Sequence, residues 1–160
     1  MTNSKMLMSL LCFALAACTP EQAPEFCRNH ALFHDQHLDT LASLDVIMTE
    51  EGIIRSELTI PISVMAGVPS EFLENSHKVY SLQTENECAA SSVILNETYN
   101  SVAASYESNC GADNKIGQLD ILLFETLAAL DEVEVTVTTP VTQKHFVINR
   151  QCDRAIFRFE

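Results

Sequence analysis

Glycine is scarce in this 160-residue chain, with four in all. That shortage leaves no room for the glycine-rich loops that cradle phosphates. Basic side chains are scarce too: nine Lys and Arg stand against 22 Asp and Glu, a formal charge of −13. A surface of that sign repels nucleic acid and anionic lipid, so no nucleic-acid partner is expected. The chain also lacks His-Glu-x-x-His, Gly-x-Ser-x-Gly and Cys-x-x-Cys arrangements, and it does not read as an enzyme. A nucleophile built from Cys27 and His30 would need a thiol that escapes oxidation. Long apolar runs are missing after the first 17 residues, so no permanent transmembrane helix is expected.

What is present begins at the N-terminus. Lys5 precedes one apolar run, Met6 to Ala17, too short to span a bilayer and built like the core of a signal peptide. The run ends in Leu15-Ala16-Ala17-Cys18, which matches the bacterial lipobox, small residues before a cysteine that is acylated and becomes the new N-terminus. The expected organisation is a lipoprotein signal peptide over 1–17, a lipid-anchored linker over 18–24 with Cys18 carrying the acyl chains (palmitate among them), and one α+β domain over 25–160. Thr19 after the cysteine favours the outer membrane, with the domain facing the periplasm. Cys12 leaves with the signal peptide and Cys18 takes lipid. Cys27, Cys88, Cys110 and Cys152 remain, an even number in an oxidising compartment, and read as two disulfides. Three pairings are possible, and spacing does not choose between them.

Periodicity predicts mostly strands. Residues 23–41 can be helical. Leu44 to Met48 and Ile54 to Ile60 alternate apolar and polar around Thr49-Glu-Glu-Gly52, a strand, turn, strand pattern. Pro69 opens a short helix. His77 to Thr84, Cys88 to Asn96 and Ser101 to Cys110 read as strands, with Val102, Ala104, Tyr106 and Cys110 on one face. Gly111 to Asn114 is turn chemistry. A strand around Leu119 to Leu123 gives way to a short helix over Phe124 to Leu130. In Asp131 to Thr139, Val133, Val135 and Val137 point one way and Glu134, Thr136 and Thr138 the other. Strands around His145 to Arg150 and Arg154 to Phe159 follow. The fold class is α+β with β dominant: an antiparallel sheet, an N-terminal helix and one or two short helices, stapled by disulfides.

The segment FCRNHALFHDQH, Phe26 to His37, holds three of the five histidines. On a helix at about 100° per residue, Cys27, His30, His34 and His37 fall within an arc of roughly 80°. His30 and His34 are four apart and His34 and His37 three apart, so each pair meets across one turn. Imidazoles so placed can share a tetrahedral Zn²⁺ or a Cu²⁺, with a carboxylate or water completing the shell. Asp35 and Asp39 lie elsewhere on the helix and reach the metal only by bending in. Leu38 and Leu41 share the histidine face, so the rings can equally edge a buried stripe. His77 and His145 stand alone, His145 on the strand face opposite Phe146 and Ile148.

The second half adds a resemblance. Leu119-Asp120-Ile121, Leu123-Phe124, Leu130, Glu132-Val133-Glu134-Val135, Pro140 and Gln143 occur in that order, and the run resembles the end of the ZrgA-type periplasmic zinc-uptake proteins. Tyr106 followed by Cys110, the earlier Cys88, and the opening series His37, Leu44-Asp-Val46, Gly52, Leu58 and Pro61 are similar to that family as well. The likeness spans roughly His34 to Phe159. It implies zinc acquisition in the periplasm beside ABC-type metal-uptake components. It also implies a Cys88–Cys110 disulfide, which leaves Cys27 for Cys152. The family's histidine-rich middle loop is absent. Its glycine-phenylalanine-glutamate-histidine motif is replaced around Ala66 to Phe72, and its opening His-x-His-Gly becomes His34-Asp-Gln-His37. Either the metal site lies on His30, His34 and His37, or the scaffold has dropped the metal. The leading expectation is an envelope lipoprotein that binds zinc through those three residues. The alternative is an envelope interaction protein on the same scaffold without metal, and a third reading is an apolar-ligand carrier with a deep cavity inside the sheet.

Overall fold

A computed structural model describes residues 40–112 and 114–156. Among the described residues nine strands and three short helical turns follow one another: β1 (Leu41–Met48), β2 (Ile53–Pro61), a 3-10 turn (Ser70–Glu74), α1 (Ser76–Val79), β3 (Tyr80–Thr84), β4 (Ala89–Glu97), β5 (Ser101–Asn109), β6 (Ile116–Ile121), α2 (Leu123–Thr126), β7 (Glu132–Thr138), β8 (Gln143–Asn149) and β9 (Arg154–Ile156). The fold is β-dominant α+β, as the alternation predicts. The N-terminal helix of that prediction lies outside the described residues.

Six strands form one sheet in the order β4-β5-β2-β1-β7-β8, and β3-β6-β9 form a second. The alternating sequences explain why the large sheet has one dry face. Ala42, Leu44 and Val46 of β1 point inward with Ile54, Leu58 and Ile60 of β2, Val102, Ala104 and Tyr106 of β5, and Val133, Val135 and Val137 of β7. Ile116, Leu119 and Ile121 of β6 and the buried Tyr80 of β3 join the same hydrophobic cluster, so the small sheet covers that face. Leu123, Leu127 and Leu130, around and after α2, seal one end of it. Burying a side chain of this size fully is worth about 1.5–3 kcal/mol.

The antiparallel expectation holds for every strand pair but one. β1 runs parallel to β7, Leu41 beside Glu132 through Ile47 beside Thr138. The other neighbours in the large sheet are antiparallel, with β2 between β1 and β5 and β8 outside β7. A parallel neighbour cannot be reached by a hairpin, and the long connection from β1 to β7 here carries β2 to β6, among them two of the three strands of the second sheet. Three local boundaries also differ from the periodicity. Leu41, read as the helix end, is already strand because it pairs with Glu132. His77 to Val79, read as strand, form a helical turn because the Asn75 side chain accepts a hydrogen bond from the His77 backbone N–H at 3.1 Å. The helix over Phe124 to Leu130 stops at Thr126. There Arg150 donates to the carbonyls of Phe124, Leu127 and Ala128, at 2.5, 2.6 and 2.9 Å, satisfying groups that a longer helix would have used.

Two buried phenols tie the layers together. Tyr80 donates to Ser56 Oγ at 3.0 Å, Tyr106 donates to the Leu73 carbonyl at 2.7 Å, and their rings meet edge to face at 5.6 Å. Burial pushes the Tyr80 phenol above its ordinary value of 10.0, against the lowering effect of Ser56. Burial raises Tyr106 too, and the neighbouring Tyr80 adds to it. A phenol raised in the fold contributes stability that is complete below about pH 10, its unfolded value, and is lost as pH climbs through the folded value. Urea midpoints should therefore fall above about pH 10, and the fall should be shallower in a Tyr80→Phe/Tyr106→Phe double variant. An identical alkaline decline in the double variant would remove the phenols as its cause. Near neutral pH, Tyr106→Phe should cost about 1–3 kcal/mol for the orphaned Leu73 carbonyl.

Candidate functional site

The strand directions give the body two distinct ends. The starts of β1 and β7 and the end of β8 share one of them: Leu41 pairs with Glu132, and Glu132 with Asn149. The chain enters here. The Asp131 backbone N–H reaches the Thr40 carbonyl at 3.5 Å. Cys152 lies one bridge beyond Asn149 and is largely buried. It is disulfide-bonded, and its partner is outside the described residues, since the other two described cysteines pair with each other. The opposite end gathers the β1–β2 turn, the β7–β8 turn and the loops on either side of Cys88 and Cys110.

Those loops are held by the Cys88–Cys110 disulfide, with an S–S distance of 2.04 Å across 22 residues of sequence. β4 and β5 place Ala89 opposite Asn109, which carries the two cysteines side by side just past the strand ends. Asn114, 3% exposed, knots the same loops. Its Oδ1 accepts from the backbone N–H of Asn86 and Lys115 at 3.1 and 2.9 Å. Its Nδ2 donates to the carbonyls of Asn86 and Cys110 at 3.3 and 3.1 Å. The turn chemistry of Asn114 was legible in the sequence; its two bonds to Asn86 were not, because that partner comes from another loop. A concavity of ≈ 670 Å³ opens at this end between Met48, Glu50, Glu85, Lys115, Pro140 and Val141, with Glu85 and Lys115 at 3.9 Å.

The uncovered face of the large sheet is polar and acidic. Asp45 stands opposite Glu57, a like-charged cross-strand pair, and the next row pairs Arg55 with Glu107 at 2.8 Å. Both partners of that ion pair are well exposed, so it contributes little to stability. A shallow groove of ≈ 340 Å³ runs past these residues, Ile47, Ile94 and Ser105. Ile47 and Ile94 are exposed, but Arg55, Glu57, Ser105 and Glu107 stand between them. His145 lies on this face beside Thr136, its Nδ1 at 3.5 Å from Thr136 Oγ1, while Phe146 and Ile148 turn inward. His77 is exposed on α1, away from that face.

His30, His34, His37, Cys27 and the acylation candidate Cys18 lie outside the described residues. Among the described residues no three His, Cys, Asp or Glu side chains are grouped to hold a metal. Among the same residues no helix is long and apolar enough to cross a membrane. No family model matches the chain, and no curated protein matches it. The likeness to the ZrgA-type proteins rests on the ordered residues quoted above.

Proposed function

We propose that this chain is a lipid-anchored protein of the bacterial cell envelope, held on the periplasmic side through acylated Cys18. In this reading it binds Zn²⁺ or a similar divalent metal through His30, His34 and His37 and supports that metal's uptake or hand-over beside an ABC-type system. It has no catalytic role in this reading. The observation that carries the proposal is the spacing of the three histidines, which on a helix would set their rings on one side within reach of a single ion. The sheet supports it in two ways. β1 begins four residues after His37, so a rigid central strand follows the histidines directly. The covalent tie at Cys152 sits at the same end of the body, and Cys27 would be the cysteine that closes it. Metal capture then falls to imidazoles, which are neutral and competent in a near-neutral periplasm.

The test is calorimetric titration of the chelator-treated protein with micromolar Zn²⁺, with His34→Ala alongside. A binding isotherm near one ion per chain, abolished in His34→Ala, is the expected result. Heat that is absent, or unchanged in the variant, would reject the assignment. An interaction protein without metal would call for one contiguous apolar patch. Among the described residues the exposed large apolar side chains are Ile47, Ile62, Ile94, Tyr99 and Val141, and of these Ile47 and Ile94 line one groove with charged residues between them.

A further inference from the structure

We infer that β4 is a self-association strand: two copies of this chain pair antiparallel through their β4 edges, with Ile94 of each at the twofold axis. β4 ends the large sheet, and among the described residues no strand lies beyond it. Its outward backbone groups are a template for one further strand. β8, at the other end of the sheet, carries Lys144 within its span, and an edge lysine discourages such pairing. Each other strand of the large sheet likewise has a charged side chain before its last position. β4 has neither charge nor proline from Ala89 to Asn96, and its one charge, Glu97, is its last residue. In a chain of formal charge −13, another copy is repelled over most of the surface but not along this strand. The pairing to β5 is irregular between Ala89 and Ser92, which leaves residues 92–97 as the regular part of the edge.

The apolar pattern of that part fits the same occupant. Val93 and Leu95 stand opposite the buried Tyr106 and Ala104 of β5 and pack against the core, yet stay partly exposed at its rim. Ile94 turns to the polar face and is 69% exposed. Three apolar residues in a row read as a strand with a neighbour on its open side. Pairing about Ile94 is self-complementary. It sets Ile94 against the partner's Ile94 on one face and Val93 against the partner's Leu95 on the other. Ser92 falls opposite the partner's Asn96, and Glu97 opposite the partner's Ser91, so no two acids meet. Such pairing uses up the β4 edge of both copies and stops at two. β4 on the β8 edge of another copy would leave an open edge at each end and grow into a chain. One strand pair is a small contact, so the dimer is weak and concentration-dependent.

The test is sedimentation equilibrium of the full-length protein in density-matched detergent, from micromolar to near-millimolar concentration, with Ile94→Lys and Ile47→Lys alongside. Ile47 is an exposed residue of the same face on central β1, and both replacements change the net charge equally. Neither side chain is part of the core, so both variants keep the fold, which circular dichroism checks. The expected result is a monomer–dimer equilibrium in the wild type and in Ile47→Lys. Association should be at least about 10-fold weaker in Ile94→Lys, where two ammonium groups face each other at the axis. Backbone hydrogen exchange in residues 92–97 of the wild type should slow as concentration rises, and exchange in β8 should not. Added salt should strengthen the dimer, because it screens repulsion between the acidic bodies while the seam carries no facing charges. A wild-type chain that stays monomeric over that range overturns the inference, whether or not β4 accepts a strand from a different protein. So does a dimer that Ile94→Lys leaves intact or that Ile47→Lys weakens equally. Growth beyond two copies, exchange protection on β8, or dissociation by salt overturns it as well.

Discussion

Gly52→Ala should unfold the domain or bring it close to unfolding, at a cost of about 4 kcal/mol or more. Gly52 closes the β1–β2 turn with φ +76°, where an L side chain is strained. Strain alone would cost about 1–2 kcal/mol. The larger part comes from crowding. A Cβ on Gly52 would fall 1.8 Å from the Gly111 carbonyl oxygen and 2.1 Å from its carbon. Both obstacles are backbone, so no side-chain rotation relieves them. The backbone there is also pinned: the Cys110 N–H donates to the Gly52 carbonyl at 2.9 Å, Cys110 is disulfide-bonded, and Asn114 holds the following loop. Gly67→Ala is the matched control. Its φ is +82°, yet nothing lies within 4 Å of an added Cβ. The comparison is made by urea midpoints of the two variants. Equal costs would show that the crossing of the two turns is looser than described here.

Opening the Cys88–Cys110 bond should cost about 3 kcal/mol, the loop-closure entropy of a cross-link across some 20 residues. The double variant Cys88→Ala/Cys110→Ala should show it in the urea midpoint. Cys88 is exposed while Cys110 is 4% exposed, so packing losses are confined to one of the two positions. The effect should also be local. Hydrogen exchange should rise in residues 85–88 and 110–115 and change little in β1, β2 and β7, whose ladders do not pass through the staple. The Asn114 bonds to Asn86 and Cys110 would still hold the loops in register, which predicts a weakened but folded domain. An unchanged midpoint would mean that residual structure in the unfolded chain already restrains this loop as much as the disulfide does.

These two predictions come from the same small region, and they show where reading the chain as a string reaches its limit. Gly52 announces a turn by its type and by the alternating stretches on either side. Its nearness to Gly111 has no local trace, because the two residues meet only after β2 has paired with β5. The Cys88–Cys110 pairing was one of three that composition allowed, and the resemblance selected it; the register of β4 against β5 is what makes it sterically possible. Arg150 read as the end of a strand, and its bonds to three carbonyls depend on α2 stopping short. The spacing of His30, His34 and His37 is a property of the sequence, and those residues lie outside the described ones.

The strands themselves followed from the amino-acid order. Val133, Val135 and Val137 against Glu134, Thr136 and Thr138 declare a half-buried strand because side chains alternate across a pleat whatever the strand's neighbour is. The scarcity of cations was equally a property of composition. Which strand lies beside which was settled only in three dimensions. β1 takes β7 as a parallel neighbour across the length of the chain, and the small sheet closes over the core that both of them face. Alternation is a local consequence of backbone geometry, whereas pairing is a competition among all the strands for one shared apolar interior, and no short window of residues contains that competition.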